Sequence, residues 1–262
     1  MTKKHREAIQ KQFARTAEAF SKTAVRDTPE VLAEKVEFAK PQPTDLALDV
    51  ACGPGAYSLA IASRVKFARG IDLTEEMIHQ ARAFQAEQQI ANAAFDCGEA
   101  EALPYADDTF DLVTCQMSFH HMPKPEAALA EMVRVAKPAG RIVVIDTLAP
   151  ESDEKFELHN AIEESRDPSH TSALRLTTFL TMFDNCGLEI LRQSLKRRQR
   201  SFNHWMLRAG LEPKHKRYQE TRKLLEGSIS RDRAGYSPLV EGGDIVITHH
   251  EGMFLLARKE SL

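Results

Sequence analysis

The run Leu48-Asp49-Val50-Ala51-Cys52-Gly53-Pro54-Gly55 sets two glycines behind a short apolar segment and ahead of a periodic one. Glycine lets the backbone turn tightly and lets a ligand approach closely. A helix that follows such a turn offers unpaired N–H groups. Asp72 lies 23 residues beyond Asp49, at the end of the next apolar run. A carboxylate there can accept both hydroxyls of a ribose. The third glycine of a GxGxxG dinucleotide fingerprint would fall at Ser58, which weighs against NAD. Asp49 would repel a pyrophosphate and suits a cation or an ammonium group. The turn therefore favours a zwitterionic or cationic nucleoside over a dinucleotide.

His120-His121 follow the fourth predicted strand and are the best general-base candidates, since imidazole is easily tuned near neutral pH. The alternative is that one packs into the fold and the other faces solvent. His249-His250 are a weaker second pair. HExxH, Cys/His clusters and carboxylate triads are missing from the sequence, so no metal is expected. Cys52, Cys97, Cys115 and Cys186 form no CxxC and read as separate thiols.

These residues need a frame. Ile9, Phe13, Ala17 and Phe20 recur at helical spacing. Thr28-Pro29 caps a second helix, about 29–39, which Pro41 stops. Predicted strands at 46–50, 67–71, 94–97, 112–115 and 141–146 then alternate with helices at 57–65, 75–88 and 126–135. That alternation implies a parallel sheet covered on both faces. Beyond Asp146 the rhythm changes: helices at 151–166 and 177–186, a strand within 188–202, and helices within 203–228 broken at Gly210 and Pro213. Residues 244–248 and 253–257 read as two strands meeting at 249–252, or as one bent strand with a bulge.

With 42% hydrophobic and 28% charged residues, the chain is of the soluble globular class, neither disordered nor membrane-spanning. Its start, MTKKHREAIQKQF, lacks an apolar signal region, so the expected compartment is cytoplasmic. Net charge is −3, yet residues 192–223 hold eleven Lys/Arg against two Asp/Glu. That segment could meet an anionic small molecule; the favoured reading is a solvated element balanced by acids such as those of 151–164. Few aromatics interleave with the basic residues, so nucleic acid is not expected. A homodimer is compatible with the sequence.

DVACGPG resembles motif I of class I S-adenosylmethionine (SAM)-dependent methyltransferases. GEAEALPYADDTFDLV and EMVRVAKPAGRIVVID resemble further motifs of the ubiquinone/menaquinone-methyltransferase-like group, methyltransferase type 11. The likeness covers about residues 13–146 and loosens afterwards, where RDPSH and the LLARK ending still resemble the group. It implies a doubly wound, Rossmann-like α/β fold with a seven-stranded, mostly parallel sheet whose last strand is antiparallel. It also implies one domain over 1–262. Lid helices would lie in 1–40, the SAM-binding core in 41–150 and acceptor-cap elements in 151–187 and 203–235. The last strands would lie in 188–202 and 244–258.

By the same resemblance, Ala51, Cys52, Gly53 and Gly55 pass beside the methionine part of SAM, and Asp49 holds that loop and meets the ammonium. Asp72 takes the ribose, Leu73 and Met77 pack on adenine, Glu99 accepts from its N6, Ala100 donates to its N1, and Cys115 lies near the methionine through its backbone. Glu99 stands where the group has Asp, and Ala139 where it has Gly. The implied reaction moves a methyl group from SAM to a small-molecule O, N or C acceptor and leaves S-adenosylhomocysteine. In-line displacement needs mainly positioning, with a base only if the nucleophile must lose a proton. Two alternatives are a non-catalytic SAM-binding partner protein and a nicotinamide-dependent oxidoreductase.

Overall fold

The computed structural model describes residues 6–7, 9–14 and 28–259. Helix α1 (Pro29–Ala39) starts as predicted: the Thr28 hydroxyl accepts from the Val31 N–H at 3.4 Å and Pro29 fills the first turn. It ends at Lys40, whose left-handed φ of 50° turns the chain into Pro41. Five strands and three α-helices follow. Strands β1 (Leu46–Val50), β2 (Phe67–Asp72), β3 (Ala93–Cys97), β4 (Phe110–Gln116) and β5 (Ala136–Ala149) alternate with helices α2 (Ala56–Ala62), α3 (Glu75–Glu87) and α4 (Pro125–Val135). A short 3₁₀ turn, Phe119–His121, sits between β4 and α4.

The later part contains α5 (Asp153–Arg166), β6 (Leu174–Arg175), α6 (Leu176–Asn185), β7 (Leu188–Ser201), α7 (Phe202–Arg208), α8 (Lys216–Glu226), β8 (Leu239–Glu241) and β9 (Asp244–Arg258). The sheet order is β3-β2-β1-β4-β5-β9-β7, with β6 beside β5 and β8 beside β9. All pairs from β3 to β5 are parallel; β9 runs antiparallel between β5 and β7. The sheet thus has seven principal strands, the last antiparallel, plus two short ones.

Strand alternation divides the core between the two faces. On β4, Leu112 packs with Ala47, Val143, Ile145, Tyr57 and Phe95; its neighbour Val113 packs with Leu48, Ile142, Val144, Met132 and Phe179. Each fully buried side chain of this size contributes about 1.5–3 kcal/mol. A third core, with Phe202, Trp205, Met206, Tyr218, Leu225 and Tyr236, joins α7 and α8 to α5 through Ile162. The Ser165 and Thr221 hydroxyls add a 2.9 Å hydrogen bond between α5 and α8.

Two expectations change. β9 is one continuous 15-residue strand, and the register shift lies across from it on β7, between Ile190 and Arg192. Backbone pairing carries straight through His249–Gly252 because Glu251 and Gly252 face both neighbouring strands. The basic segment is balanced, but by other acids than those of α5. Glu34 pairs with Lys196 at 2.5 Å and Arg198 at 2.7 Å, and Glu251 pairs with Arg198 at 3.1 Å. Glu220 and Glu226 pair with Lys216 and Arg222 one helical turn away. Residues 9–14 are helical as predicted, while Ala17 and Phe20 lie outside the described residues.

Candidate functional site

The glycine turn leaves β1 and enters α2 through three left-handed residues: Ala51 (φ 55°), Gly53 (φ 54°) and Gly55 (φ 81°). At Gly55 the positive φ and the packing both demand glycine. A Cβ there would stand 2.9 Å from the Ala81 Cβ and from the Phe95 ring. At Ala51 a non-glycine residue holds that conformation, at a cost of order 1–3 kcal/mol.

Asp49 anchors the turn from below. Its buried carboxylate accepts from the Ser58 hydroxyl at 2.6 Å and the Thr114 hydroxyl at 2.9 Å. Burial raises its pKa to about 7 against the pull of those two hydrogen bonds. Ser58, where a dinucleotide fingerprint would have glycine, is thus the donor that ties α2 to β1. Asp72 anchors the turn from the side: Oδ2 accepts from the Gly53 N–H at 2.8 Å and Oδ1 from the Thr74 N–H at 2.9 Å.

Past Asp72, the Leu73 carbonyl accepts from Gln10 at 3.4 Å, and Met77 is buried. Glu99 pairs with Arg6 at 2.5 Å, a contact from the N-terminal helix. Ala100 is half-buried against the core. Cys115 and Cys52 are buried, and burial pushes both thiols well up, so neither is a reactive thiolate. The Cys115 side chain belongs to the core on the α4 side.

A cavity of about 420 Å³ opens above the turn, within the range of small-molecule sites. Ala51, Cys52 and Pro54 form one end, Phe13 and Leu32 one wall, and Trp205, Arg208 and His249 the far side. His120 and His121 line it between these ends. Half-buried Gln116, also on its wall, has a buried Oε1 with no hydrogen-bond partner.

The two histidines differ. His120 Nδ1 lies 2.5 Å from Asp146 Oδ1, and the other Asp146 oxygen accepts from the N–H groups of Ser118 and Phe119 at 3.0 and 2.7 Å. Burial alone would lower the His120 pKa; the charge and hydrogen bond of Asp146 overcome it and raise it. Asp146 itself is held below its ordinary value, despite burial, by His120 and backbone donors. His121 directs Nδ1 to the Ser169 carbonyl at 3.1 Å and meets the Phe13 ring edge-on at 5.1 Å. Burial and the neighbouring His120 push its pKa down to about 4. A third ring, His170, lies 5.8 Å from His120 and donates to Asn160 at 2.8 Å; burial holds its pKa near 3.

A second polar node lies under the cap. Buried Glu163 accepts from the Tyr236 hydroxyl at 2.9 Å and from Arg166 at 3.2 Å, with His249 Nε2 at 3.6 Å. Arg166 lies over the Trp205 ring at 4.7 Å. Arg208, on the cavity wall, has no ion-pair or hydrogen-bond partner among the described residues.

Of the residues singled out in the sequence, Ala51, Cys52, His120, His121, His249 and His250 therefore line one cavity. Asp49, Gly53, Gly55 and Asp72 build or hold the turn but do not line that cavity, and neither do Leu73, Met77, Glu99, Ala100 or Cys115. The sequence reading did not single out Asp146, Glu163, Arg166, His170, Tyr236 or Arg208 as site residues. Asp146 ended a predicted strand and Arg166–His170 stood in RDPSH, but nothing in either spacing showed that both reach His120. Among the described residues no group of His, Cys, Asp and Glu could hold a metal ion. No helix there is long and apolar enough to cross a membrane.

The family model "Methyltransferase domain" matches residues 48–144. The uncharacterized methyltransferase YcgJ of Bacillus subtilis is 34% identical over 171 residues, 65% of this chain and 68% of YcgJ. Its crystal structure superposes with a TM-score of 0.81 over 89% of this chain and all of that one, at 26% identity. A demethylmenaquinone methyltransferase of Shouchella clausii is 40% identical over 107 residues, 40% of this chain; the chain spans 46% of that protein's length. A SAM-dependent methyltransferase from Thiobacillus denitrificans, solved with S-adenosyl-L-homocysteine, shares the fold at 17% identity, with a TM-score of 0.58 over 92% of this chain and 96% of that one. The chain belongs to the SAM-dependent methyltransferases.

Proposed function

We propose that this enzyme transfers the methyl group of SAM to a small anionic acceptor whose nucleophilic O, N or C atom must first lose a proton. One observation carries the reading: a single cavity runs from the glycine turn past His120 to Arg208, which has no ion-pair or hydrogen-bond partner among the described residues. SAM supplies an electrophilic methyl on a sulfonium.

The chain's residues fit that cofactor. Gly55 keeps the turn open to close approach, and Asp72 stands at the end of β2 with both oxygens fixed by backbone N–H groups, where a carboxylate suits ribose hydroxyls. Gln116 Oε1 is an unused acceptor beside the turn, suited to the ammonium group. Asp49, with both oxygens on hydroxyls, serves by holding the turn. Leu73, Met77, Glu99 and Ala100 form the adenine end, where Arg6 and Gln10 of the N-terminal helix close over it. Ala51, Cys52, Gly53 and the Cys115 backbone flank the methionine.

His120 takes the acceptor's proton, because its Nε2 is the ring atom that Asp146 leaves free. His121 is held to Ser169 and Phe13 and shapes the wall. Arg208 receives the acceptor's anionic group, and Trp205 gives its body an apolar surface. On this reading residues 41–150 form the cofactor half, and 151–187 with 203–235 the acceptor half, of one domain.

Isothermal titration with S-adenosylhomocysteine, SAM and NAD tests the cofactor: micromolar binding of the first two and none of NAD is expected. A mass-spectrometric screen of anionic hydroxyl, amine and acidic C–H compounds, read for a 14 Da gain (the mass of one CH₂), tests the acceptor. Tight cofactor binding with no turnover across the screen would favour a non-catalytic SAM-binding protein.

A further inference from the structure

Asp146 ends the run EMVRVAKPAGRIVVID with no role of its own assigned above, yet it touches four groups at once. Oδ1 meets His120 Nδ1 at 2.5 Å and the Thr147 N–H at 2.7 Å; Oδ2 accepts from the Ser118 and Phe119 N–H groups. The carboxylate therefore holds both the 3₁₀ turn that carries His120 and the ring on that turn. The His120 carbonyl is pinned as well, accepting from the N–H groups of Thr171 and Ser172 at 2.8 and 3.1 Å.

We infer that Asp146 is a positioning residue that fixes His120 as the Nδ1–H tautomer and so reserves Nε2 to accept the acceptor's proton. This rests on the proposed function above. An ionised carboxylate can only accept hydrogen bonds, so the shared hydrogen must come from the imidazole. Neutral His120 then has its lone pair on Nε2, and the cation formed by protonation is stabilised in place. The same logic governs carboxylate-oriented histidines in hydrolases. In the transfer, the acceptor's X–H bond breaks, its electron pair stays on X, and a new N–H bond forms at Nε2.

The groups facing His120 agree. Asp146 approaches from β5, His121 from the same turn, His170 from the loop after α5, and Glu163 and Arg166 from α5 itself. Burial holds His121 and His170 well below the ordinary imidazole range while Asp146 raises His120, so of the three rings His120 is the one best able to take up a proton. The inference also narrows the acceptor to one that reacts through an ionising hydroxyl, N–H or acidic C–H.

The test is proton-detected nitrogen NMR of histidine-labelled enzyme saturated with S-adenosylhomocysteine, with His120→Gln assigning the signal. Wild-type His120 is expected to keep Nδ1–H throughout and to titrate above 6.5. In Asp146→Asn the proton should move to Nε2, with at least a tenfold loss of proton affinity. An Nε2–H tautomer in the wild type, a titration below 6.5, or an unchanged Asp146→Asn spectrum would each overturn the inference. Should Asp146→Asn fail to fold, the wild-type tautomer and titration alone decide. Failure to bind S-adenosylhomocysteine would strike at the proposed function, and the His120 signal of the free protein would still be readable.

Discussion

The two ends of the cavity are built by different physics. The proposed cofactor end is a backbone construction: three left-handed residues, a glycine pressed against Ala81 and Phe95, and two aspartates whose oxygens hold the turn. The proposed acceptor end is a construction of side chains. Glu163 gathers Arg166 and Tyr236 in a buried cluster beside His249, whose Nδ1 has no hydrogen-bond partner, and Asp146, His120, His121 and His170 form another. A backbone site tolerates little change in shape and is indifferent to most changes of charge. A side-chain site depends on protonation, because its buried polar groups have no water to fall back on.

That contrast can be broken in order of effect. His120→Ala should lower turnover about 10²–10⁴-fold, the usual value of a general base. S-adenosylhomocysteine affinity should change much less; a matching loss of affinity would place His120 in the cofactor end and merge the two regions. Gly55→Ala should act the other way, on shape. A left-handed alanine with 2.9 Å contacts should cost about 2–4 kcal/mol in urea denaturation. It should weaken cofactor binding along with stability.

pH separates the ends further. His170, with a folded pKa of about 3, stays neutral while the unfolded chain takes up protons below about 6.5. Its contribution is full above that pH and lost as pH falls toward 3, as for His121 and His249, both near 4. Asp49 in the cofactor end has the opposite sign. Its folded pKa near 7 exceeds the unfolded value, so its stabilising contribution is present at low pH and lost as pH rises from about 4 to 7. His170→Asn should therefore shrink the stability difference between pH 7 and pH 5 by about 2 kcal/mol. An unchanged difference would mean that the acceptor end is hydrated and less like a protein interior than its burial indicates. The smallest effect is expected at Asp72→Asn: about tenfold weaker S-adenosylhomocysteine binding by titration calorimetry, from a lost charge-assisted hydrogen bond. Unaltered affinity would remove Asp72 from the ribose site and leave it only the turn.

The same contrast explains what could be read in advance. Strands β1 to β5 and the helices between them were visible because burial on alternating faces of a parallel sheet imposes apolar runs of fixed length. The turn was visible because left-handed backbone restricts residue choice to glycine at Gly53 and Gly55. Ser58 was seen only as a missing glycine; its hydrogen bond to Asp49 required both side chains in place. β9 read as two strands, or as one bent strand with a bulge, because His249-His250-Glu251-Gly252 look like a break. In the structure, pairing on both sides keeps that stretch extended.

By itself the sequence determined the order of the elements, the place of the turn, the acid at the end of β2 and the position of the histidine pair beyond β4. Local backbone preference and burial period act within a few residues, and their marks stay in the chain. Only the tertiary structure decided that Asp146 holds His120, that the His170 ring lies near it from 50 residues away, and that Glu163 collects partners from α5, β9 and the segment before β8. These links depend on which strands become neighbours. Inserting β9 between β5 and β7 sets the acceptor wall beside the turn, and no local spacing encodes that insertion.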